Sequence, residues 1–181
     1  MKARNLVAQF LEDMYNDRTP YCLTILGVPG VGKSFLAKLV DRFFQEFMCD
    51  RSDMRDNAIS GNGNDWRMKG GLAEWGVALR EMLDSGDYTR MGFYRNDYFL
   101  AIDDILAESS KLREMSATKL FDIIEARHAR RWTILTANAD IEGIERELDA
   151  RISSRILRDE NRRVTLRNVE DYAIHKAKSK K

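Results

Sequence analysis

The octapeptide GVPGVGKS, residues 27–34, constrains this chain more than any other stretch. It fits the pattern G-x-x-x-x-G-K-[S/T], in which the backbone N–H groups of a glycine-rich turn surround a triphosphate, a lysine reaches its β and γ oxygens, and a hydroxyl holds Mg²⁺. An apolar run at 21–26 predicts a buried strand before this loop, and apolar residues at helical spacing follow it over 35–47. This order brings a helix N-terminus to the phosphates, which argues against a chance Gly/Lys turn. The candidate nucleotide-binding residues are therefore Gly27, Pro29, Gly30, Val31, Gly32, Lys33, Ser34 and Phe35.

Length and composition predict one domain over residues 1–181, because 44% of the 181 residues are apolar and can form one sizeable core. The 30 basic and 29 acidic residues leave a formal charge of +1, which neither indicates nor excludes nucleic acid as a partner. Cys22 and Cys49 lack metal or redox spacing, so we expect buried thiols in a reducing cytosol. No apolar run is long enough for a membrane span, and the first ten residues lack the apolar core of a secretion signal. We therefore expect a soluble cytoplasmic protein.

The segment YFLAIDDI, residues 98–105, carries the second chemical motif. Its apolar residues run into paired aspartates, a pattern typical of a buried strand that delivers carboxylates to the ligand edge of a parallel sheet. There, Asp103 would hold Mg²⁺ together with Ser34, and Asp104 would polarise the water that attacks the γ-phosphorus. Alternatively, an Asp-Asp pair can cap the following helix. The glycine-rich loop in the same chain favours the catalytic interpretation.

Two further polar positions are candidates for the same chemistry. Asn138 ends the apolar run WTILTAN, residues 132–138, where its amide could hydrogen-bond the γ-phosphate or the attacking water; a turn-forming asparagine is equally consistent. Arg151 and Arg155 lie four residues apart, on one face of a helix predicted over 147–157. Such arginines are usually solvated or salt-bridged, but they can also reach a neighbouring subunit's γ-phosphate as arginine fingers.

Alternating strand and helix patterns predict an α/β fold, a parallel sheet with helices on both faces. The expected strands are 21–26, 57–60, 98–102, 132–136 and 163–166. The expected helices include 2–16, 35–47, 72–83 and 116–130, with a glycine-rich loop over 61–71 and little pattern over 84–95. The continuous apolar character of the first, third and fourth strands predicts burial on both faces of the sheet.

The order of these motifs resembles the AAA+ ATPases of the DnaC/IstB helicase-loader and transposition-helper group. The resemblance runs from about Pro20 to Tyr172, and it rests on GVPGVGKS, LAIDDI, an LF-x-I-I-x-x-R-like helix, T-A-N at the next strand end and the two arginines. It implies a P-loop NTPase with five strands in the order 5-1-4-3-2. Carried across residue by residue, the resemblance implies that Lys33, Ser34 and Asp103 bind Mg-ATP. It also implies that Asp104 is catalytic and that Asn138 is the sensor 1 residue. An arginine finger would act in trans within a homo-oligomer, with Arg155 the better candidate and Arg151 the second.

Three features of that group are expected to be reduced or missing. Residues 1–19 supply only an N-terminal helix and turn, too short for the helicase-binding domain that many loaders carry. Ala173 follows Tyr172 where the group often has a sensor 2 arginine, and Lys176 is a distant substitute. Only 15 residues follow Leu166, so the helical lid should be absent or vestigial. This compactness suggests a version from a phage or mobile element.

The resemblance also implies DNA, and a replicative helicase or a transposase, as partners. The candidate contact for single-stranded DNA is the region of Trp66, Arg67 and Lys69, followed by further arginines, because stacking and positive charge together suit single strands. An ordinary loop whose tryptophan packs inward is the alternative. The basic tail at 174–181 would add non-specific phosphate attraction, or is simply a disordered terminus.

Two other functions remain open at this point. A P-loop nucleoside or nucleotide kinase uses the same loop, although it usually needs lid arginines near the acceptor. A nucleotide-dependent adaptor would hold DNA or a protein partner with little turnover.

Overall fold

The computed structural model describes residues 3–50, 68–106 and 112–166, which form a parallel five-stranded sheet with helices on both faces. The strands are β1 (Cys22–Gly27), β2 (Gly70–Glu74), β3 (Phe99–Asp103), β4 (Trp132–Ala137) and β5 (Arg162–Leu166). The helices are α1 (Ala3–Tyr15), α2 (Lys33–Phe47), α3 (Trp75–Ser85), α4 (Thr89–Asn96), α5 (Arg113–Arg127), α6 (Ile141–Glu147) and α7 (Ala150–Ile156). Across these ranges, every helix is too short or too polar to cross a membrane.

The strand order is β2-β3-β4-β1-β5, and all neighbouring strands are parallel. This confirms the predicted order 5-1-4-3-2. The central strand β1 has Ile25 opposite Thr136 of β4 and Gly27 opposite Leu166 of β5. Because parallel strands end at one edge, the glycine-rich loop after β1 lies at the same sheet edge as the residues that follow β3 and β4.

The second strand differs from the prediction. Residues 57–60, where we expected it, lie outside the described residues, and the strand beside β3 is Gly70–Glu74. The last two residues of the glycine-rich loop expected over 61–71 therefore belong to β2. The helix expected from Leu72 begins at Trp75. A side chain on Gly70 would place its Cβ only 2.6 Å from the Phe99 carbonyl oxygen, so glycine allows the close approach of this edge strand.

The helix boundaries bear out some predictions and correct others. The N-terminal helix and the helix before β4 are confirmed as α1 and α5. Residues 84–95, which showed little pattern, contain most of α4. The helix expected over 147–157 is broken, because α6 ends at Glu147 and Asp149 caps the new helix α7 by accepting the Arg151 N–H at 2.7 Å.

The apolar face expected for the helix after the loop is only partly buried. Val40 and Phe44 of α2 pack in the core beneath the sheet, whereas Phe35, Leu39 and Phe47 are exposed. The reason is geometric: the seven leucine, valine and phenylalanine residues of 35–47 span more of the helix circumference than one sheet face can cover.

The sheet separates two apolar cores. One is formed with α1 and α2, and the other with helices α3 to α7. Every residue of β1, β3 and β4 is buried, which confirms the interpretation of their continuous apolar runs. Cys22 is a buried thiol as expected, while Cys49 is only half-buried.

Candidate nucleotide-binding site

The glycine-rich loop adopts the backbone that its glycines make possible. Gly27, Gly30 and Gly32 have φ of +149°, +82° and +93°, and α2 begins directly after them at Lys33. A Cβ on Gly27 would lie 2.8 Å from the Leu166 carbonyl oxygen, so a side chain has no room there. Pro29, Gly30, Ser34 and Phe35 are exposed at this edge, while Val31 is buried. The loop therefore presents backbone to solvent where the sequence predicts phosphate.

Lys33 links this loop to the carboxylates of β3. The residue is only 5% exposed, and its Nζ donates to the Val28 carbonyl oxygen at 2.7 Å. Burial lowers the pKa of Lys33, while the charges of Asp104 and Asp103 oppose that shift. The side chain of Lys33 thus interacts electrostatically with both carboxylates.

The structure brings Asp103 against β4, with its side chain almost fully buried. Its Oδ1 accepts a hydrogen bond of 2.5 Å from the Thr136 hydroxyl. The same hydroxyl oxygen accepts the backbone N–H of Asp104 at 2.8 Å. One buried threonine therefore contacts both members of the aspartate pair.

Asp104 and Asn138 meet across the ends of β3 and β4, as the sequence predicts. The Asn138 amide donates to both carboxylate oxygens of Asp104, at 2.9 and 2.8 Å. Asp104 has a left-handed φ of +55°, which is uncommon outside glycine although aspartate tolerates it. Burial and the charge of Asp103 raise the pKa of Asp104, while Lys33 and the Asn138 hydrogen bonds oppose the rise. The arrangement holds a carboxylate at the loop edge of the sheet.

These residues fit Mg²⁺ and a nucleoside triphosphate. The exposed loop backbone and the Lys33 ammonium suit phosphate oxygens, and Mg²⁺ prefers carboxylate and hydroxyl oxygens of the kind Asp103 and Ser34 offer. Within the described ranges, no cluster of three or more His, Cys, Asp or Glu residues forms a metal site by itself. Mg²⁺ is usually bound by one or two protein oxygens together with substrate phosphates.

The two candidate finger arginines lie on α7, each paired with a carboxylate of its own chain. Arg151 contacts Asp149 at 2.7 Å, and Arg155 forms a hydrogen-bonded ion pair with Glu125 of α5. Both guanidinium groups lie over the Phe121 ring, 4.8 Å and 5.3 Å from its centroid. The predicted common face is thus present, and it packs on α5.

Arg155 lies near the opposite edge of the sheet from the candidate nucleotide site of its own chain. It lines a small cavity of about 10 Å³ together with Cys22 and Thr133, which lie at the beginnings of β1 and β4. At a rise of about 3.3 Å per residue, the two ends of β1 are about 17 Å apart. Arg155 is therefore remote from Lys33 and Asp104 of the same protomer.

The candidate DNA-binding region is described only in part. Trp66 and Arg67 lie outside the described residues, as do Tyr172, Ala173, Lys176 and the tail at 174–181. Lys69 is half-buried just before β2. Of the arginines that follow, Arg90 pairs with Glu81, and Arg95 pairs with Asp122 at 3.0 Å. The single-strand contact stays a prediction.

Sequence reasoning missed Thr136 and Glu125. Thr136 is visible in the sequence as a polar residue near the end of the run WTILTAN, but its burial and its contact with both acids depend on strand register. Glu125 carries no such signal, because its partner Arg155 is 30 residues away in the sequence.

Several solved structures, among them two of the replication initiator DnaA and one of a helicase loader, have a fold similar to that of this chain. The replication initiator DnaA bound to AMPPCP and single-stranded DNA matches with a TM-score of 0.67 and 18% identity, over 98% of this chain and 50% of that chain. Domain III of the Thermotoga maritima replication initiation protein DnaA matches with a TM-score of 0.67 and 16% identity, over 92% of this chain and 63% of that chain. The DnaC helicase loader matches with a TM-score of 0.64 and 18% identity, over 90% of this chain and 89% of that chain.

This chain thus spans half the length of the DnaA chain it matches. Neither a protein-family model nor a curated protein matches its sequence. At such identities the likeness concerns the fold.

Proposed function

Because this chain has the AAA+ P-loop NTPase fold of replication initiators and helicase loaders, we propose that it binds Mg-ATP and hydrolyses it in a homo-oligomer that acts in DNA replication or transposition. The observation that carries this proposal is the contact between Asn138 and both carboxylate oxygens of Asp104, beside the buried Lys33. A lysine in the phosphate loop, a strand-terminal acid and a polar amide on the next strand together suit the hydrolysis of a triphosphate.

The loop residues would perform the binding step. Backbone N–H groups of residues 27–34 and the Lys33 ammonium would hold the β- and γ-phosphates, with charge-assisted hydrogen bonds. Ser34 and Asp103 would hold Mg²⁺, which when bound neutralises phosphate charge. The similar DnaA structure is bound to AMPPCP, which supports a nucleotide as the ligand.

Asp104 and Asn138 would perform the hydrolytic step. Asn138 orients the Asp104 carboxylate and the attacking water, and Asp104 takes up the proton of that water as its oxygen bonds to the γ-phosphorus. The bond from the γ-phosphorus to the β–γ bridging oxygen breaks, giving ADP and phosphate. The remaining lone pairs of the carboxylate leave it able to accept this proton while Asn138 is bound.

The position of Arg155 supports a site completed by a neighbour. Since this arginine lies about a strand length from the site of its own chain, it would act on the γ-phosphate of the next protomer. Arg151, on the same face of α7, is the second candidate. The partners proposed are single-stranded DNA and a replicative helicase, in line with the DNA-bound DnaA and the helicase loader DnaC, or a transposase.

The test is ATP hydrolysis per protomer as a function of protein concentration, with and without single-stranded DNA. We expect specific activity to rise with concentration and to fall by about 10³-fold in Arg155→Ala if it acts as the finger. Arg158→Ala is the matched control, since Arg158 also pairs with Glu125 but lies beyond α7. A concentration-independent activity that survives both Arg155→Ala and Arg151→Ala, or phosphoryl transfer to nucleosides by a monomer, would contradict the proposal.

An ATP-binding adaptor with little turnover is the second candidate function. It is favoured by the ion pairs of Arg151 with Asp149 and of Arg155 with Glu125, which engage both candidate finger arginines within their own chain. Asp104→Asn separates the two functions, because it removes the proton acceptor at almost unchanged volume. For the hydrolase we expect kcat to fall by about 10²- to 10⁴-fold with nucleotide affinity kept, measured by phosphate release and by titration with a fluorescent ATP analogue. An unchanged biological activity in a replication or DNA-binding assay would instead favour the adaptor.

Glu125 is expected to restrain Arg155 in the free protomer. Glu125→Gln removes the charge that holds the guanidinium, and exposed ion pairs contribute up to about 1 kcal/mol, so the protein concentration that gives half-maximal ATPase activity should fall by up to about five-fold. Glu81→Gln is the matched control, because Glu81 forms a similar exposed pair with Arg90 away from α7. A half-activating concentration that stays the same or rises would show that this ion pair does not restrain Arg155.

A further inference from the structure

We propose that Thr136 is a positioning residue that holds the Asp103–Asp104 pair in the geometry needed for Mg²⁺ and for hydrolysis. The inference rests on the proposed function, and it adds a residue that the motifs do not name. It is carried by two hydrogen bonds of one fully buried hydroxyl, to Asp103 Oδ1 at 2.5 Å and from the Asp104 N–H at 2.8 Å.

The direction of both hydrogen bonds is determined by chemistry. A threonine hydroxyl has one hydrogen, and the Asp104 N–H can only donate, so the hydroxyl hydrogen goes to the Asp103 carboxylate. A donor to an ionised carboxylate forms a charge-assisted bond, roughly twice as strong as a neutral one. The contact therefore fixes one carboxylate oxygen of Asp103 against β4, and this also determines the orientation of the second carboxylate oxygen.

The second hydrogen bond holds the backbone of the catalytic carboxylate. Regular pairing of β3 with β4 extends to Ile102 opposite Leu135, and Thr136 is the next residue of β4. Its hydroxyl accepts from Asp104, and its carbonyl oxygen accepts the Ile105 N–H at 3.0 Å. These bonds anchor the left-handed φ of +55° at Asp104, a conformation that is uncommon outside glycine. That turn directs the Asp104 carboxylate to Asn138.

The hydroxyl, and not the shape of the side chain, is therefore the functional part of Thr136. Valine has the same branched shape and high strand propensity, but it leaves a buried carboxylate oxygen and a backbone N–H without this partner. Serine keeps the hydroxyl and loses only a methyl group. A residue that merely filled the core would show the opposite preference.

The experiment compares Thr136→Val and Thr136→Ser with Thr24→Val as the matched control. Thr24 is also a fully buried threonine, on the adjacent strand β1, where its hydroxyl lies 3.8 Å from the Cys22 sulfur. For each protein we would measure kcat and KM for ATP, the affinity for N-methylanthraniloyl-ATP with Mg²⁺ and with EDTA, and the melting temperature.

We expect Thr136→Val to lower kcat by about 10- to 100-fold and to reduce the gain in affinity that Mg²⁺ provides, with the affinity in EDTA unchanged. Thr136→Ser should restore kcat to within about three-fold of the wild type, and Thr24→Val should match the wild type in both readouts. The proposal is overturned if Thr136→Val retains kcat and the Mg²⁺ effect, if serine does not rescue, or if the valine variant unfolds.

The outcomes also separate this inference from the proposed function. A wild type that binds the fluorescent nucleotide but does not hydrolyse ATP would refute the proposed hydrolysis, and the Mg²⁺-dependent affinity would still decide the role of Thr136. A wild type that does not bind nucleotide would refute both.

Discussion

Replacing Lys33 with alanine is expected to lower the affinity for Mg-ATP by at least about 100-fold. The triphosphate would lose a partly desolvated cation and the charge-assisted hydrogen bonds that this cation donates. Each such hydrogen bond contributes about 1.5–3 kcal/mol. The fold should persist, since the Nζ of Lys33 donates to the Val28 carbonyl within the exposed loop and not to a core element. Isothermal titration with ATP and Mg²⁺ measures the first effect, and circular dichroism during heating measures the second.

Lys38→Ala is the matched control for this variant. Lys38 lies five residues further along α2, is exposed, and makes only a loose contact of 4.0 Å with Glu74. We expect its affinity for ATP to match that of the wild type. If Lys33→Ala binds ATP normally, the loop is not the nucleotide site; if it unfolds, the lysine is part of the core.

Replacing Arg127 with methionine is expected to lower the free energy of unfolding by about 3–5 kcal/mol. Arg127 lies at the end of α5, and its side chain is only 1% exposed. Its guanidinium group donates four hydrogen bonds of 2.6–2.9 Å, to the carbonyl oxygens of Tyr94, Asp97 and Trp132 and to the Thr133 hydroxyl. Burial lowers the pKa of this arginine, and the charge of Asp97 opposes the shift.

The reason for the large effect is that methionine fills similar space but leaves these buried acceptors without their donor. Urea denaturation measures the change in free energy, and the melting temperature should fall by roughly 10 °C. Arg130→Met is the matched control: Arg130 is exposed on the turn between α5 and β4, so its loss should change stability by less than about 0.5 kcal/mol. Equal stability of the two variants would show that the Arg127 network contributes little.

Much of the fold was predictable because its strongest signals are local. The runs that became β1, β3 and β4 are mostly apolar, and each prediction agrees with the observed strand to within one residue. β2 was not predictable in this way, because GGLAE has neither alternation nor a long apolar run. It becomes a strand through pairing with β3, where Gly70 lies opposite Phe99. Tertiary pairing of this kind overrides weak local preference.

The candidate site also combines residues that were predictable from the sequence with contacts that were not. Lys33, Asp103, Asp104 and Asn138 were candidates from their motifs, and the meeting of Asp104 with Asn138 follows from adjacent parallel strands. The contacts of Thr136 were not predictable, since they depend on how far β4 extends past the pairing of Ile102 with Leu135.

The amino-acid sequence by itself determined which groups the candidate site offers: a glycine-rich loop with its lysine and hydroxyl, two strand-terminal acids and a polar amide. Spacing along the chain is enough for this, because each motif is read from neighbouring residues. Only the tertiary structure decided that Thr136 joins the two acids, that Arg127 crosslinks α5 to β4, and that Arg155 lies far from the site of its own chain. Those facts depend on strand register and helix packing between distant segments, and the short-range pattern of a single chain does not specify them.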